Sequence, residues 1–112
     1  MNKFELFTMT YFVLDRYYEN ETDEFIVTVL SDMCPFTFKD IGSADPAMFT
    51  DFCEFIEGKE ITLDNSFDLA KEYVKTIDFA DVTPAMDSLT EEQWLEACND
   101  YLSQPHKGSD EQ

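Results

Sequence analysis

Apolar residues recur along this chain at intervals of three and four, the spacing that gathers them on one face of a helix. Phe4, Phe7, Tyr11, Leu14 and Tyr18 fall at i, i+3, i+7, i+10 and i+14 and predict a first helix over 3–18. Asn2, with Glu5 three residues later, fits an N-cap and its capping box. Leu6, Val13 and Tyr17 widen the apolar face, which suits a central helix. A second stripe, Phe25, Val29, Leu30 and Met33, predicts a helix over 23–33 with Thr22 as N-cap and Pro35 beyond its end. Its "FIVTVL" core is β-branched and locally strand-like, so propensity and periodicity disagree there.

The boundaries further on are sharper. In "DPAMFTDFCEFIEG" Asp45 is placed to cap, Pro46 suits the first helical position and Gly58 the C-terminal end. Met48, Phe49, Phe52, Cys53 and Ile56 supply the stripe. A fourth helix is predicted over 63–77, with Phe67, Ala70, Tyr73, Val74 and Ile77 inward, and "TPAMDSL" reads as a short helical turn after it. The last long helix covers 91–103, capped by Thr90 with Gln93, and turns Trp94, Ala97, Cys98, Tyr101 and Leu102 inward. The linker "PFTFKDIGSA" carries Phe36, Phe38 and Ile41 and is expected to lie down on the core. The pattern specifies an all-α fold, a compact single-domain bundle of four to five short helices with bundle-like or orthogonal packing. Residues 1–104 make the acidic helical domain, and 105–112 a polar, disordered tail.

Composition supports one core: 44% of the 112 residues are hydrophobic and 15% aromatic, enough apolar surface to offset chain entropy despite the charge. Charge then narrows the partners. The net charge is −18. Residues 1–56 hold 3 basic and 11 acidic residues, a net −8; residues 57–112 hold 4 and 14, a net −10. The acidity therefore belongs to the whole surface, which repels nucleic acid and anionic membranes and attracts basic partners. The apolar run from Phe7 to Leu14 is too short for a membrane span and lacks the flanks of a signal peptide, so a cytoplasmic location is expected.

Candidate chemistry is sparse. His106 is the single histidine and falls in the expected tail, where no triad could be held. Cys34, Cys53 and Cys98 lack the spacing of a zinc site and read as reduced thiols. No glycine-rich phosphate loop is present. "DNSFDLAKEYVK", from Asp64, lacks the sixth-position glycine and has Lys75 where a calcium loop needs Glu. No catalytic residue, cofactor or metal is expected, and the chain reads as no enzyme.

What remains is the arrangement of acids. Glu92, Glu96 and Asp100 are four apart, as are Asp64, Asp68 and Glu72. Each like-charged i,i+4 pair costs a helix about 0.2–0.5 kcal/mol. Lys71 and Lys75 lie beside the second row; nothing basic lies beside the first. Solvated outer faces would explain both rows, and so would a docking face for a basic protein. In the second reading the six acids carry the contact and Tyr17 and Tyr101 anchor it, since interface anchors are often aromatic. The sequence-based expectation is a non-enzymatic acidic protein that neutralises or regulates a basic protein partner. An immunity protein of a nuclease-type toxin is its concrete form. Small acidic helical proteins of that kind are bacterial, a likeness of class and not of residues. The alternative is a structural or assembly module, with self-association left open.

Overall fold

Helix α1 (Lys3–Tyr17) runs through the middle of the molecule and is buried all round over its first two turns, from Phe4 to Thr10. The structure, a computed structural model, describes residues 1–109. Residues 110–112, the end of the expected tail, lie outside the described residues. Around α1 pack α2 (Glu24–Met33), α3 (Pro46–Ile56), α4 (Leu63–Lys75) and the short α5 (Thr83–Asp87); α6 (Glu91–Leu102) docks on α4. Among the described residues there are six helices and no strand. The Cα radius of gyration is 13.0 Å, that of a compact domain this long. The predicted all-α bundle is what forms, with the "TPAMD" turn realised as α5.

Local chemistry sets most boundaries. Asn2 Oδ1 accepts from the Glu5 amide at 2.8 Å while Glu5 Oε1 accepts from the Asn2 amide at 2.8 Å, so the expected capping box is complete. Thr90 and Gln93 do the same for α6. Gly58 takes φ +79°, the left-handed turn that ends α3. Two boundaries differ from expectation. The cap of α2 is Asp23, not Thr22, because its carboxylate reaches two orphan amides, Phe25 at 2.9 Å and Ile26 at 3.3 Å. α4 stops at Lys75 because the Thr76 and Ile77 amides tighten to i−3 acceptors, Tyr73 and Val74.

Burial departs from the stripes in three places, one of them Tyr17, which is 48% exposed at the end of α1. Phe25 is 65% exposed and the neighbouring Ile26 faces the core instead. Ala97 is exposed because nothing covers that flank of α6. The linker aromatics divide their roles: Phe36 stacks on Phe12 with ring centroids 5.6 Å apart, but Phe36 and Phe38 stay 45% and 59% exposed, so they are not the expected lid. Between α4 and α6 the Trp94 indole N–H donates to Ser66 Oγ at 2.8 Å, deep in the core, and that hydroxyl donates on to the Leu63 carbonyl.

The chain's end is not loose over 105–109. Asn2 Nδ2 donates to the Gly108 carbonyl at 2.8 Å, and Lys107 Nζ donates to the carbonyls of Pro35 at 2.6 Å and Phe38 at 2.5 Å. Gly108 lies flat on Phe4, where an added Cβ would meet ring Cδ2 at 2.4 Å. Polar composition suggested disorder; the Asn2 side-chain amide and Glu5 carboxylate at the start of α1 and the Pro35 and Phe38 carbonyls of the linker supply the partners that hold the segment down.

Candidate functional site

The two acidic rows are on solvent faces, as the inward stripes require. Glu92, Glu96 and Asp100 on α6 and Asp64, Asp68 and Glu72 on α4 are all exposed. Their spacing places each row opposite its helix's buried residues, Trp94 and Cys98 in α6 and Phe67, Ala70 and Val74 in α4. Among the described residues neither row is neutralised within ion-pair distance. The ion pair found among the described residues joins His106 and Glu5. Lys71, one of the two lysines beside the α4 row, has its Nζ 5.0 Å over the Phe67 ring.

An open groove of about 930 Å³ separates α1 from α6. Met9, Phe12, Val13, Leu89 and Ala97 give it an apolar floor. Gln93, Glu96 and Asp100 form the α6 bank, and Arg16 and Tyr17 the α1 bank. The uncovered flank of α6 is thus the reason the groove exists: α6 leans on α4 and leaves Ala97 facing a gap. Of the eight residues expected to bind, the groove brings together three, Glu96, Asp100 and Tyr17. Glu92 continues the row past its lining. The α4 acids do not border it.

Tyr17 and Tyr101 separate clearly. Tyr17 is 48% exposed while its neighbour Tyr18 turns inward at 8%. Tyr101 is no surface anchor. Its ring is wedged between Phe12, 5.3 Å away edge-on, and His106, 4.5 Å away, and its hydroxyl is buried without a hydrogen-bond partner. Burial and the nearby Glu5 charge push its phenol pKa up, keeping it neutral.

His106 is the residue that sequence reasoning missed. Its side chain is only 5% exposed, with Nε2 2.5 Å from Glu5 Oε2 and Nδ1 2.6 Å from the Gln104 carbonyl. Burial alone would lower its pKa, but the Gln104 carbonyl and the Glu5 carboxylate outweigh it and the pKa is raised. Both ring nitrogens are engaged, so neither is placed to take a proton from a nucleophile. The signal was present as a single histidine four residues past a helix end, but its carboxylate lies 101 positions away in sequence.

The thiols differ from one another. Burial would raise the Cys34 pKa, but the Phe36 and Thr37 amides and the Thr37 and Tyr11 hydroxyls converge on its sulfur and lower it overall. Cys98, sealed in the core, is pushed up to about 12 by burial. Among the described residues no three His, Cys, Asp or Glu side chains converge as a metal site. No helix is long and apolar enough to cross a membrane, again among the described residues. Comparison of the chain with family models, curated proteins and solved structures finds no match.

Proposed function

We propose that this is a non-enzymatic acidic binding protein that neutralises or regulates a basic protein partner, docking it in the groove between α1 and α6. The observation that carries the reading is an apolar floor beside an unneutralised acidic bank in one groove. A helix with its side chains is about 10–12 Å across. One with an apolar stripe edged on one side by Lys and Arg would seat the stripe on Phe12, Val13 and Ala97. Its cations would then lie along Glu96 and Asp100, with Glu92 extending the row. Apolar burial would supply affinity, and the carboxylates would supply orientation and fast encounter. Arg16, on the facing bank, would select against a partner that is basic on both sides. The α4 row would add to the long-range field without touching the partner.

An immunity protein that occupies the basic cleft of a nuclease-type toxin is the concrete case of this reading. The alternative of self-assembly through an apolar face has less behind it. Phe25 and Val27, the exposed apolar residues of α2, are two positions apart and therefore emerge about 200° from each other on the helix. They cannot form one face.

The test has two arms. A helical peptide with a Leu stripe and Lys along one flank only is titrated against the protein by calorimetry at low and high salt, and a lysate pull-down is run in parallel. The Glu92→Lys/Glu96→Lys and Glu96→Lys/Asp100→Lys variants serve in both arms, with Asp64→Lys/Asp68→Lys as the charge-matched control. Salt-sensitive binding lost in the α6 variants and kept in the α4 control is expected. A basic partner held equally by all four proteins would sink the assignment of the groove.

A further inference from the structure

Three features join the two ends of the chain, and none belongs to the groove. The first is the imidazole of His106, which finds only acceptors: the Glu5 carboxylate at Nε2, 2.5 Å away, and the Gln104 carbonyl at Nδ1, 2.6 Å away. A neutral imidazole has one N–H and one lone pair, so it would satisfy one acceptor and push its lone pair against the other. Only the doubly protonated ring donates to both. The second is Lys107, whose ammonium bonds the Pro35 and Phe38 carbonyls and lies 5.4 Å over the Phe4 ring. The third is Gly108, which takes φ +87° and rests on the same ring. Any other residue there would be strained and would strike Phe4.

We propose that residues 105–109 are a proton-operated strap: with His106 charged, the segment closes over the start of α1, and loss of that proton releases it. The groups facing the imidazole agree on the direction. From α1 it meets the Glu5 carboxylate; from α6 it meets Tyr101, a neutral ring; Lys107, next in the chain, turns its charge away to the linker carbonyls. The surrounding net charge of −18 also favours the cation. Release would uncover Phe4, now 1% exposed, together with Glu5 and the side of Tyr101 that His106 covers.

The sign follows from linkage. Glu5 and the Gln104 carbonyl raise the imidazole's pKa above its ordinary value. The strap's closure is therefore at full strength below the pKa of a free histidine, about 6.5, and is lost as pH rises through the higher closed-state value. Each unit between the two is a tenfold change in the closed-to-open ratio.

The chain has one histidine, so proton NMR of the full-length protein reads a single imidazole. The expected result has three parts. The His106 midpoint lies above 6.5. It falls in Glu5→Gln, where the amide oxygen can still cap α1 and the fold, checked by circular dichroism, is kept. Cross-relaxation between Gly108 and the Phe4 ring fades through the same midpoint as the pH rises. A midpoint at or below the free value would overturn the proposal, as would one unmoved in Glu5→Gln. So would Gly108–Phe4 contacts that persist unchanged above the midpoint.

Discussion

α6 carries the acidic bank of the groove, so what fixes α6 to the rest of the molecule can be tested directly. Ser66→Ala removes the oxygen that accepts from the Trp94 indole at 2.8 Å; Ser66 and Trp94 are both 0% exposed. No second acceptor and no solvent reaches that N–H, and an unsatisfied buried donor costs about 1–3 kcal/mol. The lost Ser66–Leu63 bond adds a smaller cost, since the Leu63 carbonyl also sits in the helix ladder. The cavity from one oxygen is negligible beside these. We expect a loss of about 2 kcal/mol, a large part of the 5–15 kcal/mol typical of a domain. The midpoint of thermal unfolding should fall by about 8 °C. Urea unfolding followed by fluorescence reports on the site itself, because Trp94 is the only tryptophan. The decisive control is Trp94→Phe, followed by circular dichroism, which removes the donor. In that background Ser66→Ala should cost under about 1 kcal/mol, giving a coupling of about 1–2 kcal/mol. Equal costs in the two backgrounds would mean that the bond contributes nothing, and that α6 is held by apolar contacts alone.

Other outcomes follow from the same coordinates. Glu96→Lys turns two repulsive contacts, with Glu92 and Asp100, into attractive ones and should raise stability by about 1 kcal/mol at low salt. The gain should shrink at 1 M salt, where screening acts within about 3 Å; a loss of stability at low salt would argue against repulsion along the row. Gly108→Ala should detach the strap without unfolding the core, seen as faster hydrogen exchange at the Ser109 amide, which now donates to the His106 carbonyl at 3.2 Å. Unchanged exchange would contradict the close approach to Phe4. Iodoacetamide at neutral pH should label Cys34 first, Cys53, whose pKa burial raises, more slowly, and Cys98 only on unfolding. Mass spectrometry of the digested protein checks that order, and early labelling of Cys98 would contradict its burial.

Periodicity and capping chemistry act over a few residues, and that is why they could be read from the sequence. The stripes of α1, α3 and α4, the Asn2–Glu5 and Thr90–Gln93 boxes, and Pro46 with Gly58 around α3 all depend on neighbours within one turn. The outward position of both acidic rows follows in the same way, since a helix with Trp94 and Cys98 inward must turn Glu92, Glu96 and Asp100 outward. Ambiguity arose where local signals conflicted. The "FIVTVL" stretch is helical because Val29 and Met33 are buried against α1 and α3, a gain that outweighs the modest β-preference of branched residues.

Contacts between distant residues set the rest. Which row borders a groove depends on how α6 leans between α1 and α4, and helix spacing alone carries no term for that. The bond from Trp94 to Ser66 spans 28 positions, and the pairing of His106 with Glu5 spans 101. No local pattern encodes either, because each exists only once packing has brought two helices, or the two ends of the chain, within hydrogen-bond reach. The sequence by itself determined the helices and the sign of the surface charge; only the tertiary structure decided where that charge meets apolar ground and how the last residues are held.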